Sequence, residues 1–444
     1  MSVVVPTMDE FSALSARVTK LEQGGTQPIP PDPGPEVGVQ ATRVADVIEL
    51  FGVNTFSSMD EHNVWGSWPA DYRPDSVIAA LRYMTEGTGF AFRLREYHYS
   101  GRTEMQRQWL SAIRAALPST KVAICPGANA SVNDVPTMFT LANDAACGIQ
   151  WIEGLNEPNT DFGSGEVPVA TTKAIQDAVW AGGGGATLLG PSVVAGTPHP
   201  EGWITGYCGA DLPAINAAME IGNGHYYPPG CPDLPRSGYS TAEYVAGLGL
   251  AYDDHPISLT EFHPTLYNSQ GAKPDEPGWS GERDAYYTLL TLLRCGKDSV
   301  GLWWYALFDY GTTYTCGLFP KCGTDAPRPA ATALRNLCVI AADPYDDART
   351  FVPGKLDVSV EGLTDTCDWD LYQASDGRFI LPVWNAAKEP GGERVPVSVV
   401  FGSEVESVTD FDPLASEVAL SDALRVRQYD TTIDAGVRVL VIVR

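Results

Sequence analysis

The chain has 444 residues, 44% of them hydrophobic, which is enough for one large core and one or two small ones. Its 29 basic and 55 acidic residues give a formal net charge of -26, which repels a phosphate backbone and argues against nucleic acid as a partner. No run of 18 apolar residues offers a helical membrane span, and the opening MSVVVPTMDEF lacks the basic-then-apolar pattern of a secretory leader.

Near the start, Val4, Phe11 and Val18 recur every seven residues, and Leu14 and Leu21 follow the last two by three. This is the seam of an amphipathic or coiled-coil helix over residues 1–23. Two and a half heptads are marginal alone, so the helix is read either as a homo-oligomer contact through residues 4–21 or as docked on its own domain. Residues 24–40, rich in Pro and Gly, form a semi-rigid linker.

From residue 41 to 345, short apolar runs alternate with helical patterns. Strands are expected at 48–54, 90–95, 121–125, 149–155, 187–190, 219–225, 257–261 and 300–307, with a helix opened by Asp75 and Ser76 as N-cap candidates. Eight such units over about 300 residues predict an α/β fold of the TIM (β/α)8 barrel type. No GxGxxG or GxxxxGK[ST] follows a strand, so a nucleotide cradle is unsupported.

Residues 346–444 change to period-2 strands at 356–360, 369–373, 379–384, 397–401 and 437–443, with Asp376-Gly377 as a hairpin signal. They are expected to form a C-terminal antiparallel β-sandwich. The nine cysteines show no zinc-finger spacing; Cys316 with Cys322, and Cys208 with Cys231, flank loops and are candidate disulfides.

In a barrel the reacting groups stand at the C-terminal ends of strands. That rule selects QWIEGLNEPN, where an apolar strand ends in Asn156-Glu157 and Pro158 forbids continuation, and ISLTEFHP, where a strand ends at Glu261. Two opposed glutamates supply what glycosidic cleavage needs, a proton donor and a carboxylate facing the developing oxocarbenium ion. His263 beside Glu261 lacks a third ligand, so no metal is expected and no cofactor is implied.

Asn156-Glu157-Pro158 on the fourth strand and Glu261 on the seventh resemble the motifs of the clan A glycoside hydrolases, particularly families 39 and 5. The resemblance implies a retaining double displacement with Glu157 as general acid/base and Glu261 as nucleophile. It also implies substrate-binding residues. Arg93 in FRLREYH matches the arginine near the nucleophile, with Arg95 as its rival because only one of them is expected to reach the mouth. Asn156 matches the asparagine that binds the sugar 2-hydroxyl, and His225 and Tyr227 in GHYYPPG match a His-x-Tyr pattern. Trp303 or Trp304 in GLWWYALFDY matches an aromatic platform. Relatives often carry an acid at Glu153, which reads as buried and structural. His98, Asp309, Tyr305 and Trp65 are further subsite candidates.

The leading expectation is therefore a retaining β-glycosidase, endo-acting on a poly- or oligosaccharide. Trp65, Trp68 and Trp203 on loops favour a cleft over a closed pocket. The alternative is a non-catalytic carbohydrate-binding or adhesion module on the same barrel. The N-terminal helix and spacer suggest an extracellular or virion-associated setting, such as a catalytic head on a phage particle, with a secreted or cytoplasmic monomer as the alternative. The sugar itself is not legible: loops 55–68, 160–168, 197–210 and 267–281 carry specificity.

Overall fold

The computed structural model describes residues 38–57, 73–127, 130–160, 166–182, 184–194, 200–228, 240–264, 281–309, 316–320, 326–386, 394–434 and 436–444. The expected helix at 4–21, the linker up to residue 37, and Trp65, Trp68, Cys231 and Cys322 lie outside these residues.

The first half of the chain alternates strands with helices. In order they are β1 (Val39–Gln40), β2 (Thr42–Arg43), α1 (Val44–Ile48), β3 (Phe51–Thr55), α2 (Pro74–Thr85), β4 (Arg93–His98), α3 (Thr103–Ala116), β5 (Val122–Pro126), α4 (Val135–Ala142) and β6 (Ile149–Glu153). There follow α5 (Val169–Gly182), β7 (Thr187–Leu189), β8 (Val193–Val194), α6 (Pro200–Cys208), α7 (Leu212–Asn216), β9 (Gly222–Tyr226), α8 (Thr241–Ala251), β10 (Ile257–Phe262), α9 (Gly281–Lys297), β11 (Gly301–Trp304) and α10 (Pro329–Ile340). All eight expected strands are present, with ends displaced by up to three residues.

The pattern of burial explains the architecture. Strands β3, β5, β9 and β10 are buried at every position, as strands covered on both faces must be. Helix α2 shows the complementary rule: Val77, Ala80, Leu81 and Met84, spaced by three and four, are buried on one face. It starts at Pro74, not at an Asp75 or Ser76 cap, because the proline ring presets the helical φ and the missing N–H costs nothing there.

The parallel strands run in the order β7-β6-β5-β4-β3-β11-β10-β9-β8. The sheet curls: beside β7, the Gly190 N–H donates to the Ile221 carbonyl at 2.9 Å, and the Glu220 N–H, ahead of β9, donates to the Leu188 carbonyl at 2.8 Å. This curl brings the ends of distant strands to one mouth.

The remaining strands are β12 (Lys355–Leu356), β13 (Val358–Glu361), β14 (Cys367–Trp369), β15 (Tyr372–Gln373), β16 (Phe379–Asn385), β17 (Val395–Phe411), β18 (Ala419–Ile433) and β19 (Val437–Val443). Hydrogen bonding joins most of them, with β2, into one eight-stranded sheet, in which β17 pairs with β13 through its first half and with β19 through its second. Its core holds Leu381, Val383, Val399, Ile433, Leu440 and Ile442. The Asp376-Gly377 hairpin forms as expected, with Gly377 at φ 91°. Residues 39–43 do not enter the parallel sheet: β2 joins this C-terminal sheet on β15, and β1 pairs with β12 in a separate two-stranded sheet. Helix α9 docks against it where Arg294 and Lys297 both pair with Asp368 at 2.7 and 2.8 Å.

The partners expected for Cys208 and Cys316, Cys231 and Cys322, lie outside the described residues. Cys208 and Cys316 are free thiols, buried in packed surroundings where burial pushes the Cys208 thiol up to about 12.

Candidate active site

The two sequence-selected glutamates reach the mouth by different local devices. After β6 ends at Glu153, Asn156 makes a single parallel bridge to Ser192, and the Glu157 N–H donates to the Ser192 carbonyl at 3.1 Å. Glu157 has φ +42°, a left-handed conformation that costs free energy in a residue with a Cβ. Pro158 also disfavours the right-handed helical region at Glu157, so the chain turns there. Glu261 lies on β10 next to a register shift between Leu259 and Glu261, and such an irregularity re-aims a side chain.

Arg95 is the hub between them. Its Nε and Nη2 donate to the two oxygens of Glu153 at 2.7 and 3.0 Å, Nη2 also donates to Asn156 Oδ1 at 2.8 Å, and Nη1 donates to Glu261 Oε1 at 2.8 Å. Nη1 reaches Asn54 Oδ1 at 2.9 Å as well. Asn223 adds an N–H to Glu153 Oε2 at 3.1 Å. Apart from the one to Asn54 on the adjacent β3, these bonds join strands that are not neighbours in the sheet, so they cross its interior. Burial alone would weaken the charge of Arg95, but Cys125, Glu153, Tyr97 and Glu261 more than offset it and hold its pKa above the ordinary arginine value.

Arg95, and not Arg93, therefore takes the place beside Glu261. Only one of the two was expected to reach the mouth, and depth decides which: two residues apart on β4, they share one face and differ in depth by roughly 6–7 Å. Arg93 begins the strand, and its guanidinium lies 4.7 Å from the Trp151 ring and 5.3 Å from the Trp303 ring. Burial lowers its pKa to about 10, partly countered by Glu49, so it keeps its charge at neutral pH.

The tryptophans require the same correction. Trp303 and Trp304 are 0% and 1% exposed, so neither offers a face to a sugar. Trp303 sits in the deep layer with Arg93 and packs edge-on against Trp151 at 5.9 Å. Trp304 turns the other way, donating its indole N–H to the Cys316 carbonyl at 3.0 Å and packing on His263 at 4.6 Å. Just past β11, Tyr305 lies edge-on to Tyr227 at 6.3 Å and to Phe56 at 5.6 Å. His98 and Asp309 are engaged elsewhere, His98 with Gln106 and Thr137, Asp309 with Arg328 at 2.6 Å.

His225, Tyr227 and Asn156 come together with the pair. His225 Nδ1 lies 2.7 Å from Glu157 Oε1 and 3.5 Å from Glu261 Oε2. The Tyr227 hydroxyl donates to Glu261 Oε2. Tyr97, which the sequence reading passed over, donates its hydroxyl to Glu261 Oε1. One oxygen of Glu157, one of Glu261 and a ring nitrogen of His225 all lie within 4.8 Å of one another.

The two carboxyls titrate in opposite directions. Burial raises Glu157 above its ordinary value, with Glu261 adding to the effect and His225 only partly opposing it. Burial would raise Glu261 too, but His225, Arg95 and the hydroxyls of Tyr227 and Tyr97 outweigh it and bring Glu261 below its ordinary value. The site thus sets a carboxyl with a raised pKa against one with a lowered pKa, the order that acid and nucleophile roles call for.

Glu157, His225 and Glu261 are also the described residues spaced to hold a metal ion. The fit is poor: both oxygens of Glu261 already accept hydrogen bonds, and the fixed cation of Arg95 stands beside the position.

No family model and no curated protein matches this chain. Solved structures do. A family 30 endoxylanase from Clostridium papyrosolvens C71 superposes with a TM-score of 0.55 at 11% identity, over 92% of this chain and 97% of that one. A family 39 glycoside hydrolase from the gut symbiont Bacteroides cellulosilyticus WH2 gives 0.59 at 14% identity, over 90% and 83%. A 4-O-alpha-L-rhamnosyl-beta-D-glucuronidase from Fusarium oxysporum 12S gives 0.50 at 14% identity, over 94% and 99%. At these identities the likeness speaks for the fold, and by fold this chain resembles the clan A glycoside hydrolases.

Proposed function

We propose that this protein is a retaining glycoside hydrolase that cleaves β-glycosidic bonds of a poly- or oligosaccharide on a (β/α)8 barrel carrying a β-sandwich. One observation carries the reading: oxygens of Glu157 and Glu261 lie within 4.8 Å of one another. Retaining enzymes hold their carboxyl groups about 5–5.5 Å apart, whereas inverting ones need about 6.5–9.5 Å to admit a water.

In the first step a lone pair of Glu261 attacks the anomeric carbon, the bond to the leaving oxygen breaks, and that oxygen takes the proton of Glu157. In the second, Glu157 removes a proton from water, whose oxygen attacks the same carbon and returns the electron pair to Glu261. The two residues supply proton and nucleophile, so the chemistry calls for no cofactor. With the carbonyl oxygen of Asn156 taken by Arg95, its amide NH2 is the donor proposed for the sugar 2-hydroxyl.

An uncharged glycan suits the acidic surface better than a polyanion. Endo action and display on an oligomeric, extracellular or virion-associated assembly belong to the same proposal; sedimentation of the full chain beside one lacking residues 1–38 tests the assembly, and equal monomer masses overturn it. For the chemistry, the test is proton NMR of freshly released product. Appearance of the β-anomer before mutarotation is the expected result, and initial release of the α-anomer overturns retention.

A further inference from the structure

The two oxygens of Glu261 stand in unequal surroundings. Oε1 accepts from Arg95 Nη1 at 2.8 Å and from the Tyr97 hydroxyl. Oε2 accepts from Tyr227 and lies 3.5 Å from His225 Nδ1, the atom that also touches Glu157, so Oε2 is the oxygen turned toward the proton donor.

We propose that Tyr97 is a positioning residue that, together with Arg95, holds Oε1 of Glu261 and thereby makes Oε2 the atom that bonds to the sugar. The inference rests on the retaining reading above and goes beyond it by assigning the two oxygens.

Three features fit Tyr97 for this task. It stands two residues after Arg95 on β4, so both side chains leave the strand on the face that looks into the curled sheet. Its ring is held between the Arg95 guanidinium, 4.8 Å from the centroid, and Phe56, stacked at 5.5 Å. Arg95 Nη1 also donates to the Tyr97 oxygen at 3.0 Å, which turns the phenolic O–H outward to Glu261. The titratable and charged groups around Glu261 are Arg95 and Tyr97 from β4, Glu157 beyond β6, His225 and Tyr227 at the end of β9, and through Arg95 the carboxylate Glu153. Tyr305 and Cys125 adjoin Tyr97 itself.

When Oε2 forms the ester bond, Oε1 becomes the carbonyl oxygen and loses most of its charge. In the second step that charge returns to it as the sugar departs. A donor fixed on Oε1 therefore favours the ionised nucleophile before attack and the departing carboxylate afterwards.

Tyr97→Phe removes only the hydroxyl. It is assayed with a 2,4-dinitrophenyl β-glycoside, chosen from glucoside, xyloside and cellobioside as the one the parent turns over, and with its 2-deoxy-2-fluoro analogue. The acidic limb of kcat/KM is expected to rise by about one pH unit, with KM within about twofold, and the trapped fluoroglycosyl ester to turn over about tenfold more slowly. Replacing Tyr97 by 3-fluorotyrosine, a stronger donor of nearly the same shape, is expected to move the limb downward, which keeps the test open should Tyr97→Phe misfold. An unchanged limb and ester lifetime, with Glu261 still labelled, overturn the role of Tyr97 and leave the retaining reading standing. A label on another residue of the parent protein takes the nucleophile role from Glu261, and the assignment of its oxygens falls with it.

Discussion

Arg95 gives two N–H groups to Glu153 and a third to Glu261, so one guanidinium ties a fully buried carboxylate to the candidate nucleophile. Both partners of the Arg95–Glu153 pair are 0% exposed. Such a pair contributes little net stability as a whole, but removing one charge strands the other in a medium that solvates it poorly. Glu153→Gln is therefore expected to cost about 3 kcal/mol of stability, read as a fall in Tm of several degrees, and to depress kcat as Arg95 drifts from Glu261. An unaltered Tm would show the pair to be exchangeable.

The two arginines of β4 offer a sharper contrast. Arg95→Lys keeps the charge but loses the planar fork that serves Glu153, Asn156 and Glu261 at once. A drop in kcat/KM of roughly 10²–10³ is expected. Arg93→Met replaces a cation lying between two indole rings with a flexible apolar chain, and kcat/KM is expected to stay within about threefold. Steady-state kinetics on both variants checks the assignment; equal losses would return Arg93 to the site.

These arginines also show where the sequence was legible. The period of apolar runs located all eight strands, because strands buried on both faces are written as continuous apolar segments. Strand ends were less certain: β4 starts at Arg93, not at 90, and that shift moves Tyr97 from a loop into the interior face. Tyr97 could have been found by parity alone, since it shares a face with Arg95. The burial of both Trp303 and Trp304 could not have been found that way. Parity states which one points inward, but depth decides whether an inward residue meets substrate or plugs the sheet, and depth follows from register between strands. The specificity loops carry no periodic pattern, so neither sugar nor subsite can be read there.

The opposed shifts of the two glutamates set the pH response. In the proposed mechanism activity requires Glu261 ionised, and its lowered pKa puts the acidic limb of kcat/KM below a carboxylate's ordinary value. The mechanism also requires Glu157 protonated, and its raised pKa puts the alkaline limb above that value. The expected profile is a bell, falling as pH drops through the value for Glu261 and as it rises through that for Glu157. Removing the acid as Glu157→Gln should abolish the alkaline limb and leave the acidic one in place. A profile for the variant that retains both limbs would assign the proton donor elsewhere, and His225, 2.7 Å away, would be the first candidate.

Glu157→Ala tests the same residue through chemistry instead of titration. Without its proton donor, the enzyme should lose about 10²–10⁴ in rate on substrates with poor leaving groups, and far less on a 2,4-dinitrophenyl glycoside whose departure needs little protonation. The glycosyl ester on Glu261 should then accumulate, because no base activates water. Azide is nucleophilic without a base and fits the space the side chain vacates, so it should speed turnover of the activated substrate and release a glycosyl azide. The configuration of that azide adds a second reading: a β-azide means attack on an α-linked ester, as two inversions require. Absence of rescue, or an α-azide, would remove Glu157 from the acid/base role or Glu261 from the nucleophile role respectively.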